Sequence, residues 1–324
     1  MSLPPDRSIS PELNPRPEQV DYDLDRALNA VVTVRTRVPD DAFTAGVLGT
    51  ERAGHGVAIG RPGLVLTIGY LVAEAEQTWL LDHAGRPVAG DVLAYDYETG
   101  FGLVQALGRF AAPPLELGQV RDLGVGSTVV MAGHGGRRQA LRAGVSAVSE
   151  FAGYWEYVID QALFTTPPHP NWGGAAVFDA QGRVCAIGSL YLDQTGLGGT
   201  RDAGNMSVPV DLLVPVMDEL LTYGRTLKPP RPWLGMFVTE VDDALVVAGV
   251  YDHAPAARVL RTGDVILALG GTTVASLAPF FRRMWACGEA GVEIPLTIER
   301  DGRMLDVQVR SMDRRDFWKR PALH

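Results

Sequence analysis

The amino-acid sequence predicts a mainly β protein of two domains. Runs of about four to eight β-prone residues, separated by Gly, Pro and Asp, follow one another from about residue 30 to residue 190. Glycine and proline number 37 and 22 among the 324 residues, above their usual combined share of about 12%. Three prolines between Lys228 and Pro232 then form a semi-rigid spacer. We therefore expect a β barrel or sandwich followed by a smaller β domain.

The first domain is predicted to span residues 21–225, after a flexible, proline-rich arm at residues 1–20. A short helix over 21–29 precedes its strands. The clearest predicted strands are 30–36, 56–59, 64–67, 78–81, 101–106, 128–132 and 184–190. Apolar residues at helical spacing predict a helix over 211–223, with Asp211 as its N-cap and Gly224 at its end.

The second domain is predicted over residues 233–312, between a Pro-rich linker at 226–232 and a charged tail at 313–324. Alternating apolar residues predict strands at 245–250, 265–269, 294–298 and 304–309. An amphipathic pattern predicts a helix over 276–285, with Ser276 as its cap.

Composition and charge exclude several classes of protein. The net charge of −9 argues against nucleic acid and anionic membranes as partners, and no run approaches the ~18 apolar residues of a membrane span. The first twenty residues lack the apolar core of a secretory signal. Cys185 and Cys287 are far apart and only six histidines are present, so we expect buried thiols, no metal site, no cofactor and a cytoplasmic location.

Several motifs occur in an order that is more specific than any one of them. Asn205-Met-Ser-Val-Pro-Val-Asp211 is followed by Arg231-Pro-Trp-Leu-Gly-Met236 and then by Thr262-Gly-Asp-Val-Ile-Leu267. In this order the chain resembles the HtrA (Deg) family over roughly residues 25–312. Members of that family join a trypsin-like double β-barrel protease to a C-terminal PDZ domain. The resemblance therefore implies a trypsin-like double β-barrel followed by a PDZ domain.

The resemblance also implies a degenerate catalytic triad. Tyr70 stands where the family has its histidine, Gly100 where it has its aspartate, and Trp172 where it has its nucleophilic serine. An indole has no nucleophilic atom, and a tyrosine with a pKa near ~10 is a poor general base at neutral pH. Pro170 stands at a position that gives the oxyanion hole a backbone N–H, which proline lacks.

These substitutions predict a catalytically inactive pseudoprotease that is not an enzyme. The alternative is an active HtrA-like serine endopeptidase, or another hydrolase, that uses a non-standard site. Trp172 either blocks the cleft or fills vacated core space, and both interpretations stay open. A relocated triad of His169 with Thr165 or Thr166 is disfavoured, because a loop histidine between two prolines is usually structural or exposed.

Two further features are weak signals of binding. The segment Met131-Ala-Gly-His-Gly-Gly-Arg-Arg138 has the glycine content of a phosphate loop but lacks the Gly-Lys-Ser/Thr ending. We therefore do not expect nucleotide binding there. His55 has no second metal ligand near it in the sequence, so metal binding is not expected.

The PDZ resemblance implies a peptide-binding groove. Leu234, Gly235 and Met236 would form the loop that binds a C-terminal carboxylate, and Phe237 and Val238 would begin the strand that pairs with the peptide. The alternative is a PDZ domain that serves only as an internal packing module. The implied partners are protein C-termini or unfolded polypeptide, and an active HtrA-family relative in mixed oligomers. The chain would then be an adaptor, a chaperone-like protein or a regulator, and the family's trimers suggest a homo-oligomer.

Overall fold

The computed structural model describes residues 8–195 and 201–319. These residues form two compact units. The first comprises the described parts of 8–149 and 161–226 together with Lys319, and the second comprises 150–160 and 227–318. Residues 150–160 fall inside the predicted first domain but belong to the second unit, since Ala152 and Val158 pack against its core.

The first barrel is built from six antiparallel strands in the order β1-β2-β3-β6-β5-β4, which closes on itself. Alternation of apolar residues turns one side of β1 inward, where Val32 and Val34 are fully buried. The strands are β1 (Val31–Arg37), β2 (Glu51–Ala58), β3 (Leu64–Ile68), β4 (Gln77–Leu81), β5 (Pro87–Asp96) and β6 (Phe101–Ala106).

The second barrel closes in the order β10-β11-β12-β9-β8-β7. Its strands are β7 (Thr128–Ala132), β8 (Ala140–Gly153), β9 (Tyr157–Thr166), β10 (Ala176–Phe178), β11 (Val184–Thr195) and β12 (Arg201–Pro209). Met131, Leu163 and Val177 are fully buried in its core. Two closed barrels in sequence confirm the predicted fold class for the first part of the chain.

The helices of the first unit are short. They are α1 (Leu24–Asn29), α2 (Ala45–Leu48) and α3 (Met217–Tyr223). The helix predicted over 211–223 is wrong in its first half: two 3₁₀ turns with Pro215 in the second precede α3, because proline cannot donate to a regular helical ladder. Asp211 accepts the backbone N–H of Val120 and not one of its own helix. Gly224 ends α3 with a left-handed φ of 69°, as predicted.

The second unit is a twisted antiparallel sheet in the order β13-β14-β15-β17-β18, with β16 paired to β15. Its strands are β13 (Met236–Val241), β14 (Ala244–Val250), β15 (Val265–Leu269), β16 (Thr272–Thr273), β17 (Glu293–Arg300) and β18 (Arg303–Arg310). Helix α4 (Leu277–Trp285) buries Phe280, Phe281 and Met284 in the core of this unit. Each buried side chain of this size contributes about 2 kcal/mol.

Three further predictions need correction. The arm predicted as flexible includes Ile9, which is 7% exposed in the core of the second barrel. The predicted tail includes a 3₁₀ turn, Arg314–Phe317, in which the Phe317 ring packs on Trp233. Cys287 is exposed although it was expected to be buried, because it follows the last turn of α4. The position of each residue in the tertiary structure, and not the local composition, decides whether it is buried or exposed.

Candidate functional site

A cavity of about 830 Å³ lies at the junction of the two barrels. Its first wall comes from β1, β2 and the turn after β3, and its second wall comes from loops of the second barrel. Residues that line it include Thr33, His55, Tyr70, His134, Asn171 and Trp172. Two of the three residues at the predicted triad positions, Tyr70 and Trp172, therefore meet in one cavity.

Tyr70 lies on the single 3₁₀ turn Gly69–Leu71 that follows β3. Its hydroxyl donates to the carbonyl of Ser189 at 3.0 Å. Burial raises the pKa of this phenol above its usual value. The hydroxyl therefore stays protonated at neutral pH and is engaged as a donor.

Gly100 adopts a left-handed backbone with a φ of 86°. Its N–H donates to the Asp96 carbonyl at 2.8 Å, and its carbonyl accepts the N–H of Gly69 at 2.7 Å. An aspartate at this φ would be strained by about 1 kcal/mol or more. The aspartate that the resemblance leads one to expect at this position would therefore need a different backbone conformation as well as a different side chain.

Trp172 is half-buried and packs against the core of the second barrel. Its ring lies 5.4 Å from that of Tyr191, with an interplanar angle of 41°. It also lines the cavity together with Pro170. The structure thus places the indole so that it both fills core space and narrows the cavity.

His169 is fully buried and serves the loop that carries Trp172. Its Nδ1 accepts the N–H of Asn171 at 3.1 Å, and its Nε2 lies 3.0 Å from the Gln139 carbonyl. The hydroxyl of Thr166 donates to the Ala203 carbonyl at 3.2 Å. Both ring nitrogens of His169 are therefore used for structure, as the sequence analysis favoured.

Two histidines that the sequence analysis set aside or did not single out stand in the cavity wall. His55 Nδ1 accepts the backbone N–H of His134 at 3.0 Å. Burial, helped by the charges of His169 and His134, lowers the pKa of His55 to about 3. His134 Nε2 lies 3.0 Å from the Asp82 carbonyl. Because a carbonyl only accepts, this contact places the proton on Nε2 and leaves the Nδ1 lone pair available.

The predicted carboxylate loop of the second unit holds a carboxylate. The backbone N–H groups of Leu234, Gly235 and Met236 all donate to the side chain of Glu156, at 3.1, 2.7 and 3.0 Å. Glu156 belongs to the same unit and is 7% exposed. Sequence reasoning missed it, since a contact between residues 78 to 80 positions apart leaves no local pattern.

Two models of known families match the chain. A trypsin-like peptidase domain matches residues 54–187, and a PDZ domain matches residues 232–310. A "Serine protease Do-like HtrA" of Lactobacillus helveticus is 23% identical over 82% of this chain and 70% of its own length. The chain has the domain architecture of the HtrA family. The resemblance stated from its motifs is confirmed at that level.

Other relatives of this chain are named as proteases. A "Probable periplasmic serine endoprotease DegP-like" of Halomonas elongata is 26% identical over 82% of the chain, which spans only 57% of that relative. "Serine endoprotease DegS" of Escherichia coli strain K12 is 23% identical over 95% of the chain and 92% of its own length.

Solved structures share the fold. One titled "HtrA-type protease AlgW with tripeptide" has a TM-score of 0.51 and 22% identity, covering 89% of this chain and 95% of its own. Another, titled "HtrA-type protease AlgW with decapeptide", has a TM-score of 0.52 and 20% identity over 92% and 98% of the two chains. These likenesses confirm a trypsin-like domain followed by a C-terminal PDZ domain.

One sequence-based prediction is wrong on these findings. The chain was predicted not to be an enzyme, whereas relatives matched over 82–95% of its length are named serine endoproteases or serine proteases. The prediction rested on three side chains and an oxyanion donor. It left out the other polar groups of the cavity wall, among them His134 and Thr33. Among the described residues, no helix is long and apolar enough to cross a membrane.

Proposed function

We propose that this HtrA-type protein binds polypeptides through its PDZ domain and hydrolyses them in the cavity of its barrels with a non-standard catalytic group. The observation that carries the binding part is the loop of three convergent N–H groups at Leu234, Gly235 and Met236. Three donors aimed at one point select a carboxylate, which is the terminal group of every polypeptide. The names of the relatives support the hydrolytic part.

The side chain that we propose as the general base in this cavity is His134. Its Nε2–H is oriented by the Asp82 carbonyl, in the way a third group orients the base of a triad. Its Nδ1 lone pair is then free to accept a proton from water or from a hydroxyl. Thr33 lines the same cavity and pairs with His55 across β1 and β2, so its hydroxyl is a candidate nucleophile.

Cleavage of unfolded casein by the purified full chain tests this proposal. We expect cleavage that falls by about 100-fold or more in His134→Ala, the usual contribution of a general base. The control is His83→Ala, because His83 is exposed and does not line the cavity. A serine-directed covalent probe should leave the wild type unlabelled at residue 172. Absence of cleavage, or cleavage unchanged by His134→Ala, would rule out this use of the cavity.

Binding is tested separately with C-terminal peptides. We propose protein C-termini and unfolded polypeptides as partners, with hydrophobic last residues, since Leu234, Met236 and Val238 are buried beside the loop. A peptide library in which no member binds more tightly than about 1 mM would contradict this part. Trimer formation, mixed oligomers with an active relative and the cytoplasmic location stay predictions. Mass measurement in solution and cell fractionation would test them.

A further inference from the structure

The carboxylate loop of the PDZ domain is filled by the chain itself. Glu156 Oε1 accepts from Gly235 and Met236, and Oε2 accepts from Leu234. A buried carboxylate is costly unless it is hydrogen-bonded on both oxygens. Here both oxygens are bonded, so Glu156 and the loop satisfy each other's polar groups.

The backbone beside Glu156 is hydrogen-bonded to β13 in the way expected of a bound peptide. The N–H of Val238 donates to the carbonyl of Tyr154 at 2.9 Å. Strand β13, which carries Val238, is the edge strand of its sheet. A peptide that adds to such an edge bonds through its terminal carboxylate and again through the carbonyl two residues before. Residues 154–156 reproduce this spacing, with the side chain of Glu156 in place of the terminal carboxylate.

The turn is built to point Glu156 into the loop. Glu156 adopts a left-handed φ of 61°, a conformation that is unfavourable for a residue other than glycine. Trp155 packs over Gly153, where an added Cβ would meet its ring at 2.7 Å. The Tyr154 ring lies 5.7 Å from that of Phe237. Side-chain contacts thus hold the part of the turn that precedes Glu156.

Within the second unit, residues 150–160 on either side of the turn make further contacts. Arg282 of α4 forms ion pairs with both Glu150 and Asp160. Ala152 and Val158 pack against the hydrophobic core of the same unit. The occupied state is therefore supported by apolar packing and charge as well as by the loop.

We propose that residues 154–156 are an internal ligand of the PDZ groove, and that an external C-terminus binds only by displacing Glu156. This inference rests on the proposed peptide-binding function and adds its regulation. Displacement would release the turn from β13. The external ligand is a free C-terminal carboxylate with an aromatic residue two positions before it, because Tyr154 occupies that position beside Phe237.

A labelled peptide tests the displacement in the full chain. The probe is a fluorescein-labelled decapeptide ending in Tyr-Trp-Val with a free carboxylate, and the same peptide with a C-terminal amide is its control. Glu156→Ala should bind the probe about tenfold or more tightly than the wild type, with Glu156→Gln between them. Glu293→Gln is the matched variant, since Glu293 is exposed on β17 of the same unit and β17 does not pair with β13, and it should bind as the wild type does. Equal affinity of the wild type and Glu156→Ala would overturn the proposal.

Amide hydrogen exchange tests the internal contact without any peptide. The N–H groups of Leu234, Gly235 and Met236 should exchange about tenfold or more faster in Glu156→Ala than in the wild type or Glu293→Gln. Unchanged exchange in β14 (Ala244–Val250) would show that the domain remains folded. If the loop amides are released but no peptide binds, the internal ligand stands and the proposed peptide binding fails. If the loop amides are equally protected in both proteins, the internal ligand is wrong.

Discussion

The hydroxyl of Tyr70 donates to the carbonyl of Ser189 at 3.0 Å, and this bond joins the first barrel to β11 of the second. Tyr70, which was predicted from the resemblance to stand at the position of the family's histidine, thus connects the two barrels. We expect Tyr70→Phe to lower the free energy of unfolding by about 1 kcal/mol, because it leaves a buried carbonyl without this donor. Urea denaturation measures the change. Tyr191→Phe, which keeps the ring contact with Trp172, should change stability by less than about 0.5 kcal/mol. Equal losses in the two variants would contradict a specific role for the bond.

The close approach of the loop after Trp172 to β2 predicts a severe effect of one methyl group. A Cβ at Gly174 would lie 1.9 Å from the carbonyl oxygen of His55, at a φ of 78°. We expect Gly174→Ala to lower the free energy of unfolding by about 2–4 kcal/mol, from backbone strain and overpacking together. Gly60→Ala is the control, since Gly60 has a φ of 57° but open space around it. It should cost only about 1 kcal/mol. Thermal or urea unfolding that ranks the two variants equally would refute the steric explanation.

The buried His55 predicts a loss of stability in acid. Burial holds the pKa of His55 at about 3, below the value of 6.5 expected in the unfolded chain. The unfolded state therefore binds more protons between these values, and stability falls as the pH decreases from 6.5 towards 3. The loss approaches about 1.4 kcal/mol for each pH unit. His55→Asn should show a shallower slope in urea denaturation from pH 7 to pH 4.5. Parallel slopes for the two proteins would show that His55 is not buried as the neutral form.

Glu156 predicts that peptide affinity increases with pH. Burial raises its pKa to about 7, and this outweighs the three N–H donors and the charge of Arg314, which lower it. A displaced Glu156 returns to the usual value of 4.5. Between these values displacement releases a proton, so the occupied loop is favoured in acid and an external carboxylate competes better as the pH rises.

Anisotropy titrations of the labelled peptide from pH 5 to pH 8 measure this effect. The affinity of the wild type should rise by up to about tenfold for each pH unit and level off above about pH 7. Glu156→Gln cannot titrate and should bind the peptide equally across the range. A wild-type affinity that does not depend on pH would mean that Glu156 leaves the loop without changing its protonation.

Much of the fold is readable from local patterns. Short runs of β-prone residues between turn residues marked β3, β6 and β7, and nearly every residue of these strands is buried. The long hairpin of β8 and β9 was not marked, since its outer part leaves the barrel and is only partly buried. Pro215 interrupts the predicted helix, because proline lacks the backbone N–H of a regular helix even where the spacing of apolar residues is helical.

Part of the candidate site could likewise be predicted from the sequence, and part could not. The residues at positions 70, 100 and 172 follow from motifs, because covalent spacing places each at the end of a strand or in a turn. The hydrogen bonds around these residues do not follow from the motifs. The bond from Tyr70 to Ser189 and the contact between His134 and Asp82 join residues 119 and 52 positions apart. These hydrogen-bond partners come together only when the barrels close, so no short segment of the sequence predicts them.

The sequence alone determined a double barrel followed by a PDZ domain, and it predicted which positions correspond to a catalytic triad. Both conclusions depend on residue identity and spacing, which the printed chain contains in full. Only the tertiary structure decided that Glu156 fills the carboxylate loop, because the residues next to Glu156 in the sequence do not distinguish it from the other acidic residues. Its role arises when the 154–156 turn and the loop at 234–236 come within hydrogen-bonding distance.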